Sequence, residues 1–187
     1  MPFTEEAVQE KIRKKREAAA IQLYKNSRTN YIMTARFNTY TKTENQSFRK
    51  SSWPNGCLYC TPEEVAKNIP LKSKMLVLEM DNDKNHIFAI GMCSNKSIVN
   101  KYHVYDNQNY NRYNYIGKHR ITRDEFNPTE EAVFKALDQL CFYGYEHMKR
   151  GSGLKAFPVK FLINCKSVLD LPLFLENMFI SRFHKNI

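Results

Sequence analysis

A pair of short apolar runs separated by a polar turn restricts the fold of this chain more than any other part of its sequence. Residues 75–80 read MLVLEM and residues 86–92 read HIFAIGM, whereas the five residues between them, DNDKN, are all polar. Apolar runs of this length, joined by a short segment of turn-forming residues, are typical of a β-hairpin. We therefore predict two antiparallel strands, over residues 74–80 and 86–92.

Signals for helices and strands alternate along the rest of the chain. Capping residues, proline positions and apolar spacing predict helices over residues 4–25, 61–69, 127–150 and 169–183. β-Branched and aromatic residues predict strands over residues 31–37, 99–105, 113–121 and 159–164. The polar, turn-rich residues 38–56 predict a long loop.

This order of elements predicts the fold class and the division of the chain. Antiparallel strands with helices outside them give an α+β fold, whose core we expect to be either a curved sheet or a small curved, mainly antiparallel β-barrel with flanking helices. We expect a basic N-terminal helix over residues 1–28. The remaining residues, 29–187, are expected to form one α+β domain.

The charge of the chain favours a polyanionic partner. Its formal net charge is +10, and residues 1–50 contribute eleven basic against five acidic side chains. Basic proteins attract nucleic acid by neutralising phosphates, so we predict DNA or RNA as the partner. No apolar run approaches the roughly 20 residues that a membrane-spanning helix needs, and we expect no membrane association.

A segment rich in tyrosine and basic residues follows the predicted hairpin. Rings that stack on bases and cations that meet phosphates are the usual components of a nucleic-acid-binding surface. The predicted contacts are Tyr110, Arg112, Tyr113, Tyr115, Lys118, Arg120 and Arg123. The basic cluster at residues 14–16 is either a second contact or a solvated helix face.

Two further features add candidate contacts outside that segment. Trp53, the only tryptophan, lies in the predicted loop, where it either closes the edge of the core or lines a ligand pocket. Lys149 and Arg150 precede a Gly-Ser-Gly sequence, an arrangement that either cradles a phosphate or simply ends the preceding helix.

No catalytic or metal-binding motif is evident. The Cys57–Cys60 pair lacks the second pair of ligands that a structural zinc site needs. Glu79 and Asp124 are the only carboxylates we consider for a metal-dependent nuclease site. We therefore assign no catalytic residue, metal or cofactor. The five cysteines and the charged N-terminal segment predict reduced thiols and a cytoplasmic or nuclear location.

The order of these segments resembles that of the PUA-like superfamily, which includes the EVE, ASCH and YTH domains. The similarity covers about residues 30–123: the strand YIMTARFNT, a loop, a short helix, and the hairpin that ends in HIFAIGMCSN. It implies a small curved barrel that holds a base beside its first strand and the following loop. The matching positions are Thr34, Arg36, Asn38 and Thr39, with Trp53 as an aromatic wall.

We therefore predict a nucleic-acid-binding protein, and the resemblance implies a reader of a base or a modified base. Two alternatives remain open: an enzyme that processes nucleic acid, such as a metal-dependent nuclease or a hydrolase, and a structural or packaging protein that binds by charge. Frequent Asn, Lys, Tyr and Ile are typical of an A+T-rich genome, such as that of some large DNA viruses, in which case the virion or the host cell is the expected location.

Overall fold

The chain forms an α+β structure, and the computed structural model describes residues 5–183. The helices in this part of the chain are α1 (Glu5–Ser27), α2 (Thr39–Ser52), α3 (Pro128–Phe142), α4 (Val159–Cys165) and α5 (Leu171–Phe183). The strands are β1 (Asn30–Phe37), β2 (Cys57–Thr61), β3 (Lys74–Asp81), β4 (His86–Ser94), β5 (Ile98–Val99), β6 (Tyr113–Gly117), β7 (His119–Thr122) and β8 (Lys155–Ala156).

These strands form two sheets, and within residues 5–183 they do not close into a barrel. The larger sheet has the order β7-β4-β3-β1-β8, and the smaller has the order β2-β6-β5. β3 and β4 form the predicted antiparallel hairpin, which is confirmed. β1 pairs with β3 in parallel, so both strands end at the same edge of the sheet, where Phe37 lies opposite Asp81.

The larger sheet is buried on both faces. Alternate residues of its strands point in opposite directions, so Met33 and Val77 face the smaller sheet, whereas Ile32 and Leu76 face helices α3 to α5. The molecule is therefore layered, with helices on one side of the central sheet and the smaller sheet on the other. Of the described helices, none has the length and apolar character needed to cross a membrane.

A buried ion pair between the two sheets joins strands β7 and β3 of the larger sheet. Arg120 on β7 donates to both carboxylate oxygens of Glu79 on β3, at 2.7 to 3.1 Å, and the side chains are 9% and 3% exposed. The Tyr59 hydroxyl of β2 donates to the same carboxylate at 2.9 Å. Burial alone would raise the pKa of Glu79, but the charge and hydrogen bonds of Arg120 outweigh it and hold that pKa below its usual value.

The prediction of a loop over residues 38–56 is wrong. Threonine, asparagine and serine are weak helix formers, yet residues 39–52 form α2. Asn38 caps the helix by accepting from the Thr41 N–H at 2.8 Å. Farther along, the buried Asn45 donates to the Leu58 carbonyl and accepts from Arg49, so contacts with the rest of the fold stabilise a helix that propensity disfavours.

The predictions for two other segments, residues 61–69 and 159–164, are also wrong. The helix expected over residues 61–69 does not form, because Thr61 ends β2 and pairs with Tyr113 of β6. The strand expected over residues 159–164 is helix α4. Short apolar runs do not distinguish a strand from a buried helix by their periodicity, and Pro158 at the N-cap favours the helix here.

The remaining differences concern where elements end. The helix expected over residues 127–150 ends at Phe142, because Gly144 has a φ of +81°, which a helix does not contain. The strand expected over residues 99–105 is confined to Ile98–Val99. The segment 113–121 is two strands that belong to different sheets. Helix α1 and helix α5 match the predictions within a few residues, although Thr4, where the first helix was expected to begin, lies outside the described residues.

The buried ion pair generates a stability prediction. We expect Glu79→Gln to lower the free energy of unfolding by about 3 to 5 kcal/mol, because Arg120 is left as an uncompensated buried charge. Chemical denaturation of the purified protein measures this change. Arg13→Gln, which breaks the exposed pair of Arg13 with Glu10, is the control and should leave stability nearly unchanged. A loss for Glu79→Gln as small as that of the control would contradict the prediction.

Candidate functional site

A cleft of about 250 Å³ lies where β1 and β3 end. The parallel pairing of these strands places their carboxyl ends at one edge of the sheet, which is where open sheets with parallel strands commonly bind ligands. Residues from β1, β2, the start of α2 and two loops line the cleft: Ala35, Arg36, Phe37, Asn38, Thr41, Tyr59, Cys60, Thr61, Asn82, Tyr105, Tyr110 and residues 151–154.

Arg36 is the only charged residue in this lining, and its charge has no acidic partner there. Its Nε donates to the Met148 carbonyl, whereas its buried Nη1 has no hydrogen-bond partner within residues 5–183. Burial lowers the pKa of Arg36. A guanidinium stays protonated in proteins. Arg36 pairs with Met80 in the sheet, so its side chain lies with Met148 on the helix face and its uncompensated positive charge is buried beside the cleft.

Asn82 adds an unused acceptor to the same cleft. Its side-chain amide donates to the Lys149 carbonyl at 3.0 Å, which fixes the orientation of the side chain. Its Oδ1 atom is buried and has no hydrogen-bond partner in the described part of the chain. Buried polar atoms are nearly always satisfied, so Arg36 Nη1 and Asn82 Oδ1 are exceptions, and both are closed off from solvent next to the cleft.

Residues 151–154 line one wall of the cleft, and the residues just before them are tied to the sheet. The Met148 and Lys149 carbonyls accept from Arg36 and Asn82, and Lys149 Nζ donates to Asn85 in the hairpin turn at 2.7 Å. Gly151 and Gly153 have φ angles of +96° and +68°, conformations that glycine adopts without strain. The predicted site residues Lys149 and Arg150 therefore lie beside the cleft, with Arg150 exposed.

Three tyrosines supply the aromatic part of the lining. Tyr59 and Tyr105 are buried, and the Tyr59 hydroxyl donates to Glu79, so their rings belong to the inner part of the lining. Tyr110, a predicted contact, is half-buried and packs edge-to-face on Tyr105, with ring centroids 6.2 Å apart. Of the three, Tyr110 is the ring that remains accessible to a ligand.

The other positions that the resemblance implied are used differently. Asn38 lies in the cleft and caps α2. Thr34 is buried, and its hydroxyl donates to the Lys155 carbonyl. The N–H and hydroxyl of Thr39 both donate to Asp83. Arg36 and Asn38 are therefore the two members of this set that line the cleft.

Trp53 does not form an aromatic wall of this cleft. It is the C-cap of α2, and it lines a separate groove with Lys118 and residues 54–56. That groove lies at the start of β2, whereas the cleft is lined by the end of β2, which is ~13 Å farther along the strand. The structure thus separates the predicted residues Trp53 and Lys118 from Arg36.

Three of the predicted contacts in the tyrosine-rich segment are engaged within the fold. Tyr115 is 1% exposed, and its hydroxyl accepts from the Val65 N–H. Arg120 is the buried partner of Glu79, and Arg123 pairs with Glu131 and Asp138 at 2.6 and 3.0 Å. The proposed single surface of rings and cations is therefore not formed by these residues, because composition does not reveal which side chains face inward.

Arg112 follows the 3₁₀ turn that carries Tyr110, and Tyr113 is the first residue of β6. Arg112 is exposed, and its guanidinium carbon lies 5.9 Å from the centre of the half-buried Tyr113 ring. Neither residue lines the cleft. Of the predicted site residues, the structure thus brings together Arg36, Asn38 and Tyr110, with Lys149 and Arg150 beside them.

The carboxylates considered for a nuclease do not converge. Glu79 is buried against Arg120, whereas Asp124 is exposed in the turn after β7. Within residues 5–183, no group of three or more His, Cys, Asp or Glu side chains is placed to hold a metal ion. No residue set in this part of the chain therefore suggests a metal or cofactor site.

Comparisons with known proteins leave this geometry as the basis for assigning a function. No protein family, no curated protein and no solved structure matches the chain. The cleft at the ends of β1 and β3, with its unpaired cation and its accessible ring, is the best-defined candidate site in the described residues.

The tie between Asn82 and the wall of the cleft can be tested by proteolysis. We expect Asn82→Ala to increase the rate of trypsin cleavage after Lys149 or Arg150 about fivefold, because the loss of one hydrogen bond raises the population of the open loop. Mass spectrometry of the fragments measures the rate. The exposed Asn109→Ala is the matched control. Equal cleavage rates in the two variants would show that Asn82 does not hold this loop.

Proposed function

We propose that this protein binds nucleic acid and holds one nucleotide unit in the cleft at the ends of β1 and β3. The observation that carries this proposal is a cleft that no carboxylate lines, within the described residues, with the uncompensated charge of Arg36 buried beside it. An anionic ligand satisfies that charge. Tyr110 on the opposite side supplies an aromatic face, and rings of this kind stack on bases of any sequence.

The size of the cleft and the overall charge support a single-stranded or unpaired ligand. Binding sites for drug-sized molecules are roughly 300 to 1,000 Å³, so a cleft of about 250 Å³ takes in at most one unit of a strand. A base enters such a cleft only when it is unpaired or flipped out of a helix. The net charge of +10 attracts the remainder of the strand.

The PUA-like relationship is part of this proposal. It is supported by a first strand, a β3–β4 hairpin later in the chain and a cleft beside the first strand, whereas residues 39–52 form helix α2 where the resemblance has a loop and no helix forms over residues 61–69. The relationship also implies a closed barrel, which belongs to the proposal because the strands of the described residues form two separate sheets. Within the described residues no observation favours the nuclease alternative, because the acids considered for it lie apart.

Arg36 is the first test of the proposal. We expect the protein to bind a fluorescein-labelled single-stranded oligonucleotide with an affinity that falls as salt rises. Arg36→Met should weaken this binding by about tenfold or more, because it removes a charge-assisted hydrogen bond. Fluorescence anisotropy measures both effects.

The control for this experiment removes the same charge at the other end of the sheet. Lys96 is exposed and follows Ser94, which pairs with Lys74, about 23 Å along β3 from the cleft. Lys96→Ala should bind as the unmodified protein does. Equal losses in Arg36→Met and Lys96→Ala would instead indicate binding by bulk charge, as in a packaging protein.

The separation of Trp53 from the cleft gives an optical test. We expect a nucleoside monophosphate to leave the emission of Trp53 unchanged, because the ring lies in a different groove. In the Trp53→Phe, Tyr110→Trp variant the same ligand should quench the new tryptophan by stacking on it. Quenching of Trp53 in the unmodified protein would place the ligand in the Trp53–Lys118 groove instead.

A further inference from the structure

We infer that the outward face of helix α1 is a docking surface for a second copy of this chain, whose own α1 pairs with it in the antiparallel direction. The surface consists of Glu5, Val8, Ile12, Lys15 and Ala19, which we call the α1 stripe. None of these residues lines the cleft, so the inference goes beyond the proposed function and does not depend on it.

The spacing of the stripe residues places them in one line along the helix. They follow one another by three, four, three and four residues, which is the spacing of the contact positions of a coiled coil. All of them are exposed, and the two large apolar side chains, Val8 and Ile12, keep 44% and 40% of their surface accessible. The stripe is therefore a helix-pairing seam that no other part of residues 5–183 buries.

Helix α1 packs on the rest of the fold through its opposite face. Glu17 pairs with Lys160 of α4 at 3.1 Å, and the Tyr24 ring packs against the core on the helix side of the larger sheet. The half-buried Ile21 belongs to this face, and it lies about two and a half turns after Ile12, so the two side chains point in opposite directions. The fold thus turns the α1 stripe away from the rest of the molecule.

The charges of the stripe favour an antiparallel partner over a parallel one. Arg13 and Lys14, which lie off the stripe, pair with Glu10 of the same helix. Glu5 and Lys15, which lie on it, form no ion pair within residues 5–183. In a parallel pair each of these two charges would face its own kind, which is repulsive. In an antiparallel pair centred on Glu10, each Glu5 faces Lys15 of the other copy.

The same alignment brings the apolar residues together. Glu10 is midway between Glu5 and Lys15, and it is also midway between Val8 and Ile12. A two-fold axis beside Glu10 therefore sets Val8 of each copy opposite Ile12 of the other. The seam then has apolar contacts at its centre and an ion pair at each end, in the self-complementary arrangement of most homodimers.

The composition of the stripe suits a second copy better than a polyanion or a membrane. Its one basic residue is balanced by its one acidic residue, so a nucleic-acid strand or an anionic lipid surface would meet Glu5 as well as Lys15. Helices that bind membrane surfaces also expose faces rich in Trp, Phe and Leu. A second copy neutralises both charges and covers both large apolar side chains.

The length of the seam sets the expected affinity. The overlap from Glu5 to Lys15 extends over about 16 Å of helix, which buries less surface than a standard protein interface. We therefore expect a reversible dimer with a dissociation constant of roughly 10 to 100 µM.

Sedimentation velocity of the full chain at about 5 to 500 µM, a range that spans this constant, tests the inference. We expect the average mass to rise with concentration toward that of a dimer. Ile12→Glu should raise the dissociation constant at least about tenfold, because it places a charge at the centre of the seam. Leu23→Glu is the matched control and should dimerise normally, since Leu23 is 72% exposed on the same helix and lies outside the overlap. Circular dichroism shows whether both variants keep their helix content.

Charge reversal tests the direction of the pairing. Lys15→Glu sets two carboxylates against each other at both ends of an antiparallel seam, so we expect the dissociation constant to rise at least about fivefold. Adding Glu5→Lys to this variant restores opposite charges and should restore the dimer. In a parallel pair, Lys15→Glu would exchange one like-charge contact for another. An unchanged dissociation constant in that variant would overturn the inference.

Other results would also contradict pairing through the α1 stripe. A monomer at every concentration would overturn it, and equal losses in Ile12→Glu and Leu23→Glu would place the contact elsewhere. If the chain stays monomeric and Ile12→Glu weakens binding to a single-stranded oligonucleotide or to phosphatidylserine vesicles, the stripe belongs to that ligand. None of these outcomes affects binding in the cleft, which Arg36→Met tests separately.

Discussion

The parallel pairing of β1 with β3 is the constraint on which the rest of the structure depends. The strands run in register from Asn30 opposite Lys74 to Phe37 opposite Asp81, so they end together at one edge of the sheet. A parallel pair cannot be joined by a tight turn, and the connection over residues 38–73 contains α2 and β2. This crossover brings the start of α2 and the end of β2 to the same edge. The cleft follows from that topology, with residues 151–154 as its outer wall.

Two of the basic residues that suggest a binding surface, Arg120 and Arg123, are engaged in ion pairs within the fold and are not available to a ligand. Arg120 neutralises Glu79 between the two sheets, and Arg123 ties β7 to α3 through Glu131 and Asp138. A buried carboxylate requires such a partner. Arg36 differs from both, because no carboxylate pairs with it and one of its nitrogens is unused within the described residues. The position of a basic residue therefore decides more than the net charge of the chain whether its charge is available to a ligand.

The sequence predicted the parts of the fold that local pattern controls. The hairpin of β3 and β4 follows from two apolar runs around a polar turn, and the strand expected over residues 31–37 is β1. Helix α2 could not be predicted from its weak helix formers, because its stability depends on Asn45 reaching β2. Asn82 was missed because its role depends on Lys149, which is distant along the chain. Burial of Tyr115 depends likewise on which face of β6 packs inward.

A titration of the isotopically labelled protein with a short single-stranded oligonucleotide, followed by amide NMR shifts, tests the central claim most directly. The account predicts that the largest shifts occur in two segments that are distant in sequence and adjacent in space, residues 36–41 and 148–153. Amides beside Ser94, at the far end of the sheet, should move little. Shifts concentrated around Trp53 and Lys118, or spread evenly over the basic surface, would contradict a ligand site at the ends of β1 and β3.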